Sequence, residues 1–297
     1  MCTAISTDGL FGRTLDVERS YGEEVVITPR DYRIDLVREP AIKFHQSMIG
    51  MATVREGRPL YFDAMNESGL CIAALNFPKN AVYNPPRENM NNVASFEFIP
   101  WVLCNSSSVA QAVELLKRTN ITNDNFSAEL SSTPLHWLVS DKVRSITVES
   151  VESGLRIYEN SFGVLTNNPP FSYHIEHISN FVHLNPNVPK NTLCPRVEVE
   201  LYSRGMGAMG LPGDFSSTSR FVRAVYAKTH TESLKNSKND RIYRFFHIMD
   251  TVNVPFGCVK TETGENSYTL YTSCMDMETK TYYFTTYMCR KIQSISL

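Results

Sequence analysis

Residues 1–16 read MCTAISTDGLFGRTLD, and this stretch carries the strongest indication of how the chain folds. The runs 3–6 and 10–17 are short and rich in residues that favour strands. Asp8 and Gly9 lie between them, and this dipeptide is typical of a tight hairpin turn. The amino terminus is therefore predicted to form an antiparallel hairpin.

Cys2 is the residue of this stretch that is best suited to take part in a reaction. Initiator methionine is generally removed before a small side chain, which would place a thiol and a free α-amine on the same residue. An α-amine has an ordinary pKa near about 8, so part of it is neutral and able to accept the thiol proton. The thiolate then attacks a carbonyl and forms a thioester. The alternative is that a cysteine at position 2 is an accident of sequence.

Arg13 and Asp16 return to the neighbourhood of Cys2 if the hairpin turns at residues 8 and 9. The positive charge of Arg13 would favour the thiolate, and the carboxylate of Asp16 would hold the α-amine. The alternative interpretation is an ordinary arginine–aspartate pair at the end of a strand, and the pattern alone favours neither.

The rest of the chain alternates blocks of strands with blocks of helices. Further strands are predicted at 24–29, 48–54, 60–65, 71–76, 135–140, 145–151, 155–158, 163–166, 267–274, 282–287 and 292–297, and helices within 96–119 and at 171–182, 219–229 and 240–252. This order favours an α+β fold over a parallel sheet with crossover helices. One domain spanning 2–297 is expected, with a loop excursion at about 185–214 that is rich in proline and glycine.

Composition excludes several classes of protein. The chain has 297 residues, of which 42% are hydrophobic, so it can bury a large core. Its 29 basic and 31 acidic residues are not segregated, so we expect no nucleic-acid partner. No apolar run is long enough to span a membrane. The first residues lack a charged segment followed by an apolar one, so a cytoplasmic protein is expected.

Other motifs carry little weight. The seven cysteines include no C-x-x-C pair, which argues against a zinc or redox site. The spacing Gly205-x-Gly207-x-x-Gly210 fits a dinucleotide fingerprint, but no strand–turn–helix unit surrounds it. His174 and His177 share a predicted helix without the spacing of a metal motif. We therefore expect neither a metal nor an organic cofactor.

Eight sequence blocks, taken together and in order, resemble one known family. They are MCT at 1–3, FGRTLD at 11–16, DAMNESGL at 63–70, LNFP at 75–78, PLHW at 134–137, GVLTNNP at 163–169, GLPGDFSSTSRFVR at 210–223 and YTSC at 271–274. The family is the choloylglycine hydrolases, which comprise bile salt hydrolases and penicillin V acylases of the N-terminal-nucleophile superfamily. The resemblance implies a four-layer αββα sandwich, with two antiparallel sheets between helix layers, and a homotetramer without a cofactor.

The resemblance also implies catalytic roles. The residues are Cys2 as nucleophile, Arg13 and Asp16 beside it, Asn76 in the oxyanion hole, Asn167 orienting the substrate and the nucleophile's amine, and Arg220 near the cysteine. An amide donor at position 76 suits the charge that develops on the tetrahedral intermediate. In this family asparagine at this position goes with bile salt hydrolases, whereas penicillin V acylases more often carry tyrosine.

A conjugated bile salt is therefore the expected substrate, and an apolar pocket should receive its sterol body. The candidate walls by resemblance are Leu15, Phe62, Phe126, Leu130 and Leu135. The alternative is that each of them simply fills the core. Arg55 stands where an apolar wall residue is expected, and Phe62 is bulkier than expected. The alternatives are penicillin V acylase or acyl-homoserine lactone acylase activity and, in another class, a catalytically silent ligand-binding relative.

Overall fold

The chain is described by a computed structural model that covers residues 1–234 and 238–297. Its strands are β1 (Cys2–Thr7), β2 (Leu10–Val17), β3 (Glu24–Thr28), β4 (Met48–Arg55), β5 (Arg58–Asn66), β6 (Cys71–Asn76), β7 (Asn91–Ala94), β8 (Thr119–Thr122), β9 (Leu135–Ser140), β10 (Ser145–Val151), β11 (Gly154–Glu159), β12 (Val164–Leu165), β13 (Val259–Lys260), β14 (Asn266–Asp276), β15 (Thr281–Thr286) and β16 (Gln293–Ser296). Its α-helices are α1 (Phe98–Asn105), α2 (Val109–Leu116), α3 (Phe171–His177), α4 (Ser217–His230) and α5 (Lys238–Asp250).

The strands form two large antiparallel sheets. The first sheet has the order β12-β1-β2-β14-β15-β16, with β13 paired to β14, and contains both ends of the chain. The second has the order β11-β10-β9-β6-β5-β4-β3. Alternation of side chains along a strand lets each sheet bury both faces, one against the other sheet and one against helices.

Two apolar clusters lie between the layers of helices and sheets and establish the order of these layers. The first contains Cys2 and Phe11 of the first sheet, Leu138 of the second sheet, and residues of α4 and α5. The second lies between the outer face of the second sheet and α1, and Trp137 stacks there on Phe98. The layer order is therefore helices, sheet, sheet, helices, and the predicted αββα sandwich is confirmed.

Gly12 allows the first sheet to close tightly at its centre. A Cβ atom added there would lie 1.9 Å from the carbonyl oxygen of Ser273 on β14. No other residue fits this approach without moving the backbone, and β2 therefore packs closely against β14 beside the first strand.

Most predicted elements are confirmed, and several boundaries agree to the residue, as for β2, β6, β9 and β10. Ser108 caps α2 by accepting a hydrogen bond from the backbone of Gln111. The predicted helix at 171–182 is shorter, because α3 ends at His177 and the chain continues as a 3₁₀ turn over Ile178–Phe181. The strands β7, β8 and β13 were not predicted.

The segment 185–214 contains one short 3₁₀ turn, Met206–Ala208, and no strand or α-helix. Many of its side chains are exposed, among them Leu193 and Tyr202, which are 95% and 82% exposed. Within the residues described, no helix combines the length and apolar character needed to cross a bilayer.

Candidate active site

The amino-terminal hairpin brings the candidate residues of the first two strands together. Asp8 and Gly9 adopt positive φ angles of 50° and 73°, as the predicted turn requires. In the resulting register Cys2 lies directly opposite Leu15. Arg13 and Asp16 therefore lie on the strand that pairs with the chain's first residues, as predicted.

Cys2 is almost completely buried, with 2% of its surface exposed. Its backbone N–H donates to the side-chain oxygen of Asn167, at 2.8 Å. Its carbonyl oxygen accepts a hydrogen bond from Nη1 of Arg220. The main chain on both sides of the sulfur is thus held by residues from distant parts of the sequence.

Arg220 lies in the first turn of α4, whose amino end is capped by the hydroxyl of Ser216. The guanidinium is fully buried and donates to the hydroxyl of Thr3 at 2.7 Å and to the side-chain oxygen of Asn167 at 2.8 Å. Burial lowers the pKa of Arg220, and the charges of Asp16 and Cys2 oppose this effect. An arginine remains charged even so, and a cation therefore stands permanently beside the nucleophile.

Arg13 supplies a second buried cation. Its Nε and Nη1 donate to the carbonyl oxygens of Thr14 and Phe62, both at 3.1 Å, whereas Nη2 has no partner among the described residues. Burial alone would lower the pKa of Arg13, but nearby negative charges, with Cys2 first among them, raise it. Arg13 and Cys2 are therefore close enough for their charges to interact.

Asp16 is buried and its carboxylate is held by two threonine hydroxyls. Thr269 donates at 2.6 Å and Thr14 at 3.0 Å. The backbone of Asp16 pairs with Met1, whose terminal amine donates to the carbonyl oxygen of Asp16 at 2.5 Å. The predicted contact between the Asp16 carboxylate and the α-amine of Cys2 concerns the chain without Met1 and stays a prediction.

Asn167 connects the nucleophile to Asn76. Its Nδ2 donates to the backbone carbonyl of Asn76 at 2.8 Å, while its Oδ1 accepts from Cys2 and Arg220. The side-chain amide of Asn76, at the end of β6, makes no hydrogen bond within the described part of the chain. The side chain of Asn76 is partly exposed, and its role as an oxyanion donor stays a prediction.

Several supporting residues were missed by sequence reasoning. Ser217 accepts a hydrogen bond from the backbone of Asn167 at 2.8 Å, and it lies within the quoted block at 210–223. Asp63, in the block at 63–70, accepts hydrogen bonds from the hydroxyls of Tyr271 and Tyr282 at 2.6 and 2.7 Å. Burial raises the pKa of Asp63, and the opposing effect of Arg13 identifies this carboxylate as a nearby counter-charge. A buried arginine requires a negatively charged partner. This requirement is the signal from which Asp63 could have been found.

Two of the predicted pocket walls belong to the same apolar cluster as Cys2. Leu15 is 4% exposed and lies opposite the cysteine. Phe62 is partly buried against this cluster, and its ring lies 6.0 Å from that of Tyr21. Arg55 is exposed at the end of β4 and donates to the carbonyl oxygen of Tyr21 at 2.8 Å.

The other three walls lie elsewhere. Phe126 and Leu130 close one loop through a backbone hydrogen bond of 3.0 Å. Phe126 also lines a cavity of about 300 Å³ with Leu60 and Tyr61, and no candidate catalytic residue is among the residues described as lining it. Leu135 packs against the outer cluster, on the opposite side of the second sheet from Cys2. These three assignments therefore depend on the resemblance alone.

Three other cysteines lie in surroundings that differ from those of Cys2. Cys71 and Cys274 are fully buried, and burial raises the pKa of each thiol well above its ordinary value. Burial also raises the pKa of Cys104 to about 12. These thiols stay protonated and inert, whereas Cys2 lies beside two buried cations.

The glycine spacing at 205–210 and the histidines at 174 and 177 do not lie in the surroundings that cofactor and metal motifs require. Gly207 lies within the 3₁₀ turn at Met206–Ala208, Gly205 and Gly210 lie on either side of it, and the chain before that turn is not a strand. His174 lies in the core and stacks on Phe221. Over residues 1–234 and 238–297, no cluster of His, Cys, Asp and Glu has the arrangement of a metal site.

The αββα sandwich with a cysteine at the start of its first strand defines an N-terminal-nucleophile hydrolase. The model of the linear amide C–N hydrolases, choloylglycine hydrolase family, matches residues 2–297. The chain belongs to this family, and it is a hydrolase of amide C–N bonds.

Its relatives carry specific names. A bile salt hydrolase/transferase from Lactiplantibacillus plantarum is 44% identical, over 100% of this chain and 92% of that protein. A crystal structure of the C2A mutant of conjugated bile acid hydrolase from Clostridium perfringens superposes with a TM-score of 0.92 at 34% identity, covering 100% of this chain and 92% of that one. Penicillin V acylase from Agrobacterium tumefaciens shares the fold, with a TM-score of 0.77 at 20% identity over 100% of this chain and 86% of that one.

Proposed function

We propose that the protein hydrolyses the amide bond of glycine- or taurine-conjugated bile salts, with Cys2 as nucleophile. One observation carries the mechanism. The side chain of Asn167 joins the backbone nitrogen of Cys2 to the strand end that bears Asn76, through hydrogen bonds of 2.8 Å each. The names of the relatives from Lactiplantibacillus plantarum and Clostridium perfringens support the substrate.

The reaction follows from the chemistry of these groups. Removal of Met1 turns the nitrogen of Cys2 into a free amine, which takes the thiol proton. The thiolate attacks the amide carbon, and the side-chain amide of Asn76 donates to the oxygen that becomes negative. The amine returns the proton to the leaving nitrogen, so that glycine or taurine departs and a bile-acyl thioester remains. Water, deprotonated by the same amine, then hydrolyses the thioester. This sequence requires no cofactor.

The two cations have separate roles in this proposal. Arg13 stabilises the thiolate by its charge. Arg220 holds the carbonyl of Cys2 and the oxygen of Asn167, so it fixes the orientation of the amine. Asp16, anchored by Thr14 and Thr269, holds the amine from the other side.

Apolar side chains beside the nucleophile support a sterol substrate. Leu15 and Phe62 pack with Cys2, and we propose that they contact the sterol, with Phe126, Leu130 and Leu135 as further walls. Asn76 favours bile salts over penicillin V by the resemblance described above.

The direct test compares glycocholate, taurocholate and penicillin V as substrates. We expect release of glycine or taurine by the wild type and by Cys71→Ala, a matched control that removes another buried thiol, and none by Cys2→Ala. Intact mass should show loss of Met1. Faster turnover of penicillin V than of both bile salts would contradict the proposed substrate, and a retained Met1 together with no turnover would favour a silent binding protein.

We also propose that the protein is a cytoplasmic homotetramer formed by a single catalytic domain, with the excursion at 185–214 as a subunit contact. Leu193 and Tyr202 offer exposed apolar surface there. All seven cysteines are free, which fits a reducing compartment. Light scattering during size-exclusion chromatography tests the assembly, with Leu193→Asp as the disrupting variant and Val143→Asp, at an exposed site outside the excursion, as the control.

A further inference from the structure

His136 and Glu149 form a completely buried pair that the mechanism above does not use. They lie directly opposite each other on β9 and β10, and both side chains have 0% exposure. Nδ1 of His136 lies 3.2 Å from Oε1 of Glu149. Burying two ionisable groups is costly, and a pair of apolar residues would fill the same space at no such cost.

His136 touches the neighbours of both candidate asparagines. Its Nε2 lies 2.8 Å from the carbonyl oxygen of Thr166, the residue before Asn167. Its ring stacks on that of Phe77, the residue after Asn76, with centroids 4.2 Å apart and an interplanar angle of 7°. One imidazole thus contacts both strand ends that carry the candidate asparagines.

Glu149 fixes the same region from its other side. Its Oε1 accepts a hydrogen bond of 2.9 Å from the backbone N–H of Phe171, the first residue of α3. The segment from Thr166 to Phe171, which includes Asn167, is therefore held at both ends by this pair. The second carboxyl oxygen, Oε2, has no partner among the described residues.

The hydrogen bonds determine where the protons are. The carbonyl of Thr166 can only accept, so Nε2 of His136 carries a proton. A second proton must lie between Nδ1 and Oε1, on either atom. Both arrangements leave the pair with a net charge of zero, so the core holds a connected polar unit without net charge.

We propose that His136 and Glu149 are positioning residues that hold Asn167 and Asn76 at the separation which acyl transfer requires. The inference rests on the proposed roles of those asparagines. Misplacement of a reacting or orienting group by about 1 Å can cost about 10²-fold in rate. Loss of the pair should therefore lower kcat, whereas substrate binding by the apolar walls, and with it KM, should change little.

The test uses His136→Phe and the double variant His136→Phe/Glu149→Leu. Phenylalanine keeps a ring for the stack on Phe77 but cannot donate to Thr166. The single variant leaves a buried carboxyl without its partner, and the double variant removes that carboxyl. We expect the double variant to be more stable to urea than the single variant, while kcat on a conjugated bile salt stays about 10²-fold low in both and KM changes less than about threefold.

Two further variants complete the design. His136→Gln places an amide N–H where Nε2 lay, so its kcat should recover most of the loss, and it serves in place of His136→Phe if that variant does not fold. Trp137→Phe is the matched control, because its side chain faces the outer cluster and its ring N–H has no partner among the described residues. It should lose stability and keep the wild-type kcat.

Different outcomes would contradict the positioning role and the proposed function. A kcat that recovers in the double variant in step with stability would overturn the positioning role, and so would a His136→Gln enzyme as slow as His136→Phe. A wild-type enzyme that releases neither glycine nor taurine would overturn the proposed function, and the positioning role with it. That failure is distinct, because it appears before any variant is made.

Discussion

When the pH is lowered, the free energy of unfolding should fall less in the variant His174→Gln than in the wild type. His174 is 1% exposed, and its Nε2 lies 3.1 Å from the carbonyl oxygen of Asn167. That carbonyl can only accept, so Nε2 carries the proton, and Nδ1 has no partner among the described residues. Burial lowers the pKa of His174 to about 4, so the folded protein keeps this imidazole neutral.

The sign and size of the effect follow from linkage. An unfolded histidine has an ordinary pKa near about 6.5. Between that value and the folded pKa of about 4, the unfolded state binds more protons, so the free energy of unfolding falls as the pH falls. Between pH 7 and pH 5 these two values give a loss of about 2 kcal/mol from His174 alone.

Urea denaturation at pH 7 and pH 5 measures this loss. Glutamine keeps an N–H donor towards Asn167 but does not titrate, so the fall in unfolding free energy should be about 2 kcal/mol smaller in His174→Gln than in the wild type. Tyr173→Phe changes the same helix without changing a histidine and should behave as the wild type. Equal falls in the wild type and His174→Gln would refute the reasoning.

Three further predictions concern the nucleophile, the oxyanion donor and the sheet. Cys2→Ser should fold normally by circular dichroism and lose more than about 10³-fold in kcat, and substantial residual turnover would argue against covalent catalysis. Asn76→Ala should lower kcat by about 10²-fold, and an unchanged kcat would remove its amide from the oxyanion hole. Gly12→Ala should reduce the free energy of unfolding in urea by about 3 kcal/mol, because its Cβ would meet Ser273, whereas Gly213→Ala, with open space around it, should cost less than about 0.5 kcal/mol.

The hairpin could be predicted because its determinants are local. Asp8 and Gly9 specify the turn, and the β-rich runs on either side specify the strands, so the proximity of Arg13 to Cys2 follows from counting residues. The pair of β7 and β8 could not be predicted in the same way. Each is a four-residue, partly polar strand, and they join in parallel across the intervening helices.

The site could be predicted only where a sequence block carried it. Asn167 and Arg220 lie in such blocks, and the structure brings both to Cys2. Glu149 lies in an ordinary strand, and its proposed role depends on the strand opposite it, which no local pattern reveals. Leu135 could have been placed from the sequence, because strand alternation puts it on the same face as Trp137, which lies in the outer cluster.

The main-chain pairing of Met1 with Asp16 has a practical consequence for producing the enzyme. Any peptide fused ahead of Cys2 would continue the first strand alongside Asp16 and leave an amide where the proposed mechanism needs a free amine. Affinity handles therefore belong at the carboxyl end, after the exposed edge strand Gln293–Ser296. A preparation tagged at the amino end should be inert until a protease cleaves immediately before the cysteine.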